Sequence, residues 1–425
     1  MPGQHYDLDC IWQCLSCVLS GPASLRAVPR LLGVLHSFYP LGQAHKIPDW
    51  TTSRMWLLRL GLAQLQQPVV KAADWVWLLD HSVQLGRERC LAVLGGRLSE
   101  LPRGPLRRAN LRLLHLKVMR DPNKNSNHQE LLGVLERTGP PRAVLSDHGA
   151  DVLGAVRLLQ QGLGQSCGLD VYDIKHRVAL ALKERLEVQP RWAEFLSAVG
   201  QARNAAKQTE WAFLLPPVLR TKSRYLNLGE LMRWASRTTW LLEHKPQALA
   251  EHGSLERLEE KLGWLLGYGP DLEAWRGWYQ VAARAEQGVR NRGLYRGAEV
   301  DLRRRLEPVA QEGPAKQMAA ELVAFVAEQS KGLQPGEWLP GSTQVLESCL
   351  GTLKVLEKDH SRSGFTSLVL GLGALLGRVT KEVVRQALAS TPIKAVRRWC
   401  AENIPQSLQS KRAQVYRLAN VTDLG

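Results

Sequence analysis

Three carboxylates stand where carboxylates are uncommon. Asp80 interrupts the apolar run WVWLLDHSV, Asp147 closes RAVLSD just before His148 and Gly149, and Glu347 sits among apolar residues in STQVLESCLGTLK. Clustered carboxylates repel one another unless a divalent cation neutralises them or their pKa values rise. Oxygen donors of this kind suit Mg²⁺ or Mn²⁺. Two such ions, about 3.5–4 Å apart, can clamp the attacking and leaving oxygens of an in-line phosphoryl displacement. Singly, each acid has a plainer reading: Asp80 ends a strand, Asp147 opens a turn with Gly149, and Glu347 faces solvent on a helix. The two readings differ in whether the three residues meet.

The surrounding pattern predicts how they would be positioned. VWLLDHSV, RERCLAVLGGRL and LRLLHLKVM are short apolar runs separated by a GR step and by PRGPLRRAN, and they read as three consecutive antiparallel strands. Arg87, Glu88 and Arg89 are expected to turn the first hairpin. A helix follows at HQELLGVLERTG. PRAVLSDHGADVLGAVRLLQQG then reads as strand, turn, helix, and LDVYDIKHRVALALKERL repeats that switch. The result is a mixed α/β plan with parallel additions to a hairpin sheet. If the first and fourth strands are neighbours, Asp80 and Asp147 converge at one edge, and a helix packed on that face can bring Glu347.

This order of strands and acids resembles the DDE transposases of bacterial insertion sequences, whose catalytic domain is ribonuclease H-like. The resemblance rests on WVWLLDHS, on AVLSDHGADV, and on LESCLGTLK, where Lys354 follows Glu347 after six intervening residues. That spacing matches part of a signature in some of these families, and it sets Lys354 two turns along the same helix face, where it could touch DNA phosphate. The tyrosine and arginine positions of the signature are held here by Pro340 and Thr343. The likeness covers roughly Trp75 to Pro190 and Ser342 to Gly377. The stretch between them reads as helices, like the helical insertions of some eukaryotic transposases. The resemblance implies that Asp80, Asp147 and Glu347 bind two Mg²⁺ (or Mn²⁺) ions, that water cuts the element end, and that the freed 3′-hydroxyl attacks target DNA. It also implies a homodimer on double-stranded DNA. A metal-dependent nuclease on the same fold and an inactive, transposase-derived DNA-binding protein are the alternatives.

The expected organisation has four parts: residues 1–72, an all-α, helix-turn-helix-like DNA-binding region; 73–189, the first part of the ribonuclease H-like core; 190–340, an all-α insertion; and 341–425, the helix bearing Glu347 with a basic helical C-terminus. In the first part, TTSRMWLLRLGLAQL begins with Thr51, Thr52 and Ser53 as candidate caps. Arg54 and Arg59 lie on an otherwise apolar helix, so Thr52, Arg54 and Arg59 either touch DNA or belong to ordinary packing. His148 either assists a strand or leaving oxygen or faces solvent from its turn. Asp173 reads as the cap of the helix that Lys175, His176 and Arg177 begin, where Lys175 and Arg177 could grip phosphate.

Charge supports a polyanionic partner. The 425 residues carry 56 Lys and Arg against 40 Asp and Glu, a net +16. The excess is uneven: 21 basic against 18 acidic residues over 190–340, but 12 against 6 over the last 85. No apolar run is long enough to span a membrane and no secretion signal is evident, so a cytoplasmic protein, nucleoid-associated if bacterial, without membrane partners is expected. Seven cysteines without a framework fit a reducing compartment. Cys10, Cys14 and Cys17 have the spacing of a radical-enzyme iron–sulfur motif. They also fall on one helix face, and no repeating strand-helix pattern follows them. Eight of the fourteen tryptophans lie in 190–340. Most are expected to fill helix interfaces, with one or two stacking on unpaired bases. The pairs Arg107–Arg108 and Arg397–Arg398 and the run Arg303–Arg305 read as solvated faces or phosphate contacts.

Overall fold

Three helices open the chain: α1 (Leu8–Leu19), α2 (Val28–Phe38) and α3 (Trp50–Leu65). Strands β1 (Trp75–Val83), β2 (Glu88–Arg97) and β3 (Arg112–Arg120) follow, then α4 (Lys124–Thr138), β4 (Ala143–Ser146), α5 (Ala150–Leu163) and β5 (Leu169–Tyr172). Next come α6 (Ile174–Leu186), α7 (Pro190–Ala206), α8 (Leu228–His244), α9 (Pro246–Ala250), α10 (Leu255–Leu262), α11 (Gly269–Arg292), β6 (Leu294–Tyr295), α12 (Ala298–Leu306), α13 (Gly313–Ser330) and β7 (Trp338–Leu339). The chain closes with α14 (Gln344–Lys358), α15 (Gly371–Ala374), α16 (Lys381–Ser390), α17 (Ile393–Asn403) and α18 (Leu408–Thr422). This is a computed structural model, and it describes residues 5–21, 23–38, 46–83, 87–164, 168–218, 225, 228–358, 365–406 and 408–422. The tip of the first hairpin, 84–86, lies outside them.

The chain divides into two units, Met1–Val171 with Thr343–Gly425, and Tyr172–Ser342. The sequence expectation carried the core to residue 189, whereas α6 falls in the second unit. There α6 packs along α11, and Arg185 pairs with Glu321 of α13 at 2.6 Å.

In the first unit the sheet order is β3-β2-β1-β4-β5. The β1/β2 and β2/β3 pairs are antiparallel and β1/β4 is parallel, which is the mixed plan expected from the apolar runs. Alternation along each strand sorts the side chains. Trp75, Trp77, Leu79, Leu91, Val93 and Val144 share one face with Leu131 and Val134 of α4 and Val152, Val156 and Leu159 of α5. Burying each such aliphatic side chain contributes about 1.5–3 kcal/mol, so this layer holds the sheet firmly. Val76, Leu78 and Asp80 point to the opposite face. Glu88 and Arg89, expected in the turn, are paired residues of β2, opposite Arg120 and Met119. They extend the strand because each has an acid or base to meet: Glu88 faces Lys411 at 3.4 Å and Arg89 reaches Asp151 at 2.8 Å.

Helix α3 runs through the middle of the C-terminal helices. Trp56, Leu57, Leu58, Leu60, Leu62 and Leu65 are buried around its circumference, the signature of a helix enclosed by neighbours. Its backbone meets the chain at 370–373 so closely that a Cβ on Gly61 would lie 1.8 Å from the Leu370 carbonyl oxygen. The cap is Asp49, whose carboxylate accepts the Thr51 amide at 2.8 Å, rather than Thr51, Thr52 or Ser53.

The second unit is almost wholly helical. Trp192, Phe195, Trp264, Tyr268 and Trp275 form an aromatic cluster with centroids 4.9–6.2 Å apart. The expectation of no strand over 190–340 is corrected in one detail: β6 and β7 form a two-residue antiparallel ladder, Leu294 to Leu339 and Tyr295 to Trp338. Gly293, at φ 70°, ends α11 and frees the chain to extend there.

Candidate active site

The parallel ladder between β1 and β4 ends at Leu79 opposite Ser146. Asp80, still within β1, and Asp147, the first residue after β4, come next. Neighbouring strands lie about 4.8 Å apart, so the two acids begin side by side at the sheet's carboxyl end. By alternation both belong to the face opposite α4 and α5. Each is half-buried.

The turn after Asp147 is built around that carboxylate, because its Oδ1 accepts the Gly149 amide at 2.9 Å. His148 takes the left-handed conformation, φ 55°, which is uncommon for a residue with a side chain and tends to mark functional turns. It is not turned to solvent: its Nε2 lies 3.0 Å from Asp170 Oδ1 on β5. The other face of β1 has its own polar group. His81 Nε2 lies 3.2 Å from Asn127 Oδ1 and its Nδ1 3.5 Å from Asp151, which also holds Arg89. Burial lowers the His81 pKa, against the pull of Asp151, so the ring stays neutral near pH 7.

Glu347 lies in the first turn of α14, a helix packed against β1. The helix covers the Asp80 face. Glu357, further along α14, acts electrostatically on Cys90, which is paired with Ser82 on that side. Arg108 anchors α14 from the β2–β3 connection, donating to the Ser348 carbonyl at 3.2 Å and to Thr352 Oγ1 at 2.7 Å. This assigns Arg108, one of the basic pairs, to packing. Lys354 is exposed. Glu357 escaped the sequence reading: it is 2% exposed, and burial pushes its carboxyl up to about 7 despite hydrogen bonds from the Thr366 amide and hydroxyl. Its position four residues after buried Leu353, on the same stripe, was the available signal.

The basic residues proposed for DNA contact are placed differently. Arg59 donates through Nε to the Thr391 carbonyl at 2.7 Å and through Nη2 to the Leu388 carbonyl, at the C-terminal end of α16. Arg54 donates to Ser367 Oγ, and Thr52 is half-buried. Of the two readings of this helix, ordinary packing describes both guanidiniums. They are turned inward because α3 is enclosed on all sides. In the second unit, Asp173 is the expected cap, accepting the Lys175 amide at 2.9 Å, and its Oδ2 lies 3.4 Å from His176 Nδ1. Arg177 turns its guanidinium to the Phe325 ring, 6.0 Å from the centroid, instead of outward. Cys10 and Cys14 are buried on one face of α1, as a helical core predicts.

No protein-family model and no curated protein matches the chain. A solved structure titled Drosophila P element transposase strand transfer complex is similar over 89% of this chain and 92% of that one, with 10% identity and a TM-score of 0.41. A likeness of that size carries no argument about chemistry, which rests on the residues described above.

Proposed function

We propose that the chain is a DDE-type DNA transposase, whose Asp80, Asp147 and Glu347 act together on a phosphodiester. The observation that carries this reading is the register of β1 and β4, which sets two carboxylates at matched positions on one face, with the Glu347 helix packed over that face. The plain alternative, that each acid serves its own turn or strand end, explains Asp147 through its bond to Gly149 but does not call for a second carboxylate at the matched position of β1.

The donor set consists of carboxylate oxygens, which fits hard divalent cations such as Mg²⁺ or Mn²⁺. Two such ions bound there would polarise the scissile phosphate and favour deprotonated water or a 3′-hydroxyl as nucleophile. The chain's own residues do the rest. Asp80 is held on β1 and Asp147 in the turn directly after β4, so their carboxylates need little reordering. The Asp147 turn is locked by Gly149 and by the His148–Asp170 contact. Exposed Lys354, two turns from Glu347, is available to DNA phosphate. The basic balance of the chain draws it to duplex DNA, where paired element ends call for a homodimer. No helix among the described residues is long and apolar enough to cross a membrane.

The test uses full-length protein and labelled duplexes carrying the sequences that flank the coding region. Cleavage and joining to target DNA in Mg²⁺ or Mn²⁺ are expected, reduced at least about 100-fold by Asp80→Asn, Asp147→Asn or Glu347→Gln. Duplex binding without any cleavage in either metal overturns the enzymatic reading. Cleavage without a joined product leaves a nuclease in its place.

A further inference from the structure

The tryptophans of the second unit are buried or half-buried, with one exception. Trp240 on α8 is 48% exposed, while Trp192, Trp211, Trp275, Trp278 and Trp338 are nearly inaccessible and Trp234 and Trp264 are partly covered. An exposed indole offers a flat face on which a planar ligand can stack. This one is also held in a fixed plane: it stacks on His244, one turn along, with centroids 5.2 Å apart and ring planes 12° apart.

Trp240 borders an open groove of about 610 Å³ between α8 and α11. The volume falls in the range of small-ligand sites, about 300–1,000 Å³. Arg233 and Arg237 line it from α8, and Arg276, Tyr279 and Gln280 line it from α11, over a floor that includes Met232 and Leu241. Arg233, Arg237 and Trp240 recur at i, i+4 and i+7, so a single helix face presents two cations and a ring. Arg276 opposes them from the second helix. None of the lining residues is acidic. Glu230 and Glu273, each about a turn away, lie outside the lining, and among the described residues Arg233, Arg237 and Arg276 form no ion pair. Three cations around a flat, anchored aromatic ring and an apolar floor match one chemistry: an aromatic base joined to phosphate.

From this we infer that the α8–α11 groove binds an unpaired stretch of DNA strand, with a base stacked on Trp240 and its phosphates on Arg233, Arg237 and Arg276. A base inside a duplex is already stacked on both faces and cannot reach the indole, so the ligand is single-stranded. Two arginines on one helix face and a third across the groove suit a continuous backbone that follows its length. The inference does not depend on the catalytic carboxylates, because binding requires neither metal nor cleavage.

The experiment measures anisotropy of a fluorescein-labelled oligothymidylate of about 12 nucleotides with the full-length protein in EDTA, alongside a duplex of the same length. Trp240→Ala is expected to weaken single-strand binding about 10-fold, the scale of one lost base stack. Arg233→Ala with Arg237→Ala is expected to weaken it similarly and to flatten the salt dependence by about 1.4 in logarithmic slope. Trp240→Phe keeps most of the affinity, which separates stacking from a folding defect, and duplex binding stays unchanged in all three. Unchanged single-strand affinity in both the Trp240→Ala and the double-arginine proteins overturns the inference, as does an equal loss on duplex. Competition by thymidine triphosphate as effective as by the unlabelled oligonucleotide overturns the strand and leaves a free nucleotide. Because no metal is present, loss of catalysis in the carboxylate variants leaves this result unaffected.

Discussion

Helices α3 and α8 both combine arginines with tryptophan, yet they spend their charge in opposite ways. Arg54 and Arg59 of α3 are half-buried and donate to Ser367 and to carbonyls of Leu388 and Thr391. Arg233 and Arg237 of α8 are exposed and line a groove. Trp56 of α3 is buried, whereas Trp240 of α8 is 48% exposed. The difference teaches that a basic helix face stays available to a polyanion only when the opposite face alone is packed. On α3 every face is packed, so its guanidiniums became internal hydrogen-bond donors, Arg54 to the Ser367 hydroxyl and Arg59 to carbonyls left open at a helix end.

The largest test of that contrast is Gly61→Ala. On α3 the new Cβ would meet the Leu370 carbonyl oxygen at 1.8 Å, and neither backbone has room to yield. The expected cost is about 4 kcal/mol, seen as a lower midpoint in urea unfolding. An unchanged midpoint would mean that α3 is not enclosed as described.

Buried charge can also be probed through an acid of the same unit. Glu357 is held protonated up to about pH 7, compared with an ordinary value of 4.5, mainly by burial. The folded state therefore binds a proton that the unfolded chain releases earlier. Its contribution is fully present below pH 4.5 and is lost as pH rises through 7. Glu357→Gln does not titrate, so its advantage over the parent protein should grow across that window and level off at about 3 kcal/mol by pH 8. Unfolding midpoints at pH 5 and pH 8 measure it. A pH-independent difference would show that Glu357 is ionised in the folded protein.

The smaller effects compare the arginines directly. Arg59→Ala removes two donors from carbonyls at the end of α16 and should cost about 2 kcal/mol. Arg237→Ala, on the exposed groove, should change stability by no more than about 0.5 kcal/mol. Thermal unfolding of the pair, side by side, sharpens the comparison. Equal losses would erase it.

Much of the sheet was legible beforehand. The short apolar runs in VWLLDHSV and RAVLSD were enough to read β1 and β4, because a strand covered on both faces needs apolar side chains at successive positions whatever the partner strand is. The turn residues Asp147, His148 and Gly149 also announced a boundary, since Asp and Gly favour it. Glu88 and Arg89 were misread as a turn because their local polarity resembles one. Only the acid and base brought near by α5 and α18 make a charged strand end worthwhile. For α3 the signal was present but underweighted: TTSRMWLLRLGLAQL is apolar around the whole circumference, the pattern of an enclosed helix. Asp49, two positions before that stretch and one before the helix begins at Trp50, was the stronger cap candidate.

Sequence alone was sufficient to single out Asp80, Asp147 and Glu347 as candidates and to read the strands that carry Asp80 and lead into Asp147, because local periodicity and residue chemistry act over a few residues. Tertiary structure decided which strands became neighbours, and so that Asp80 and Asp147 begin side by side at the end of one ladder. It also decided which arginines met carbonyls and which met solvent. Those outcomes depend on contacts between residues hundreds of positions apart, Arg59 with Thr391 among them, and no local pattern encodes the partner.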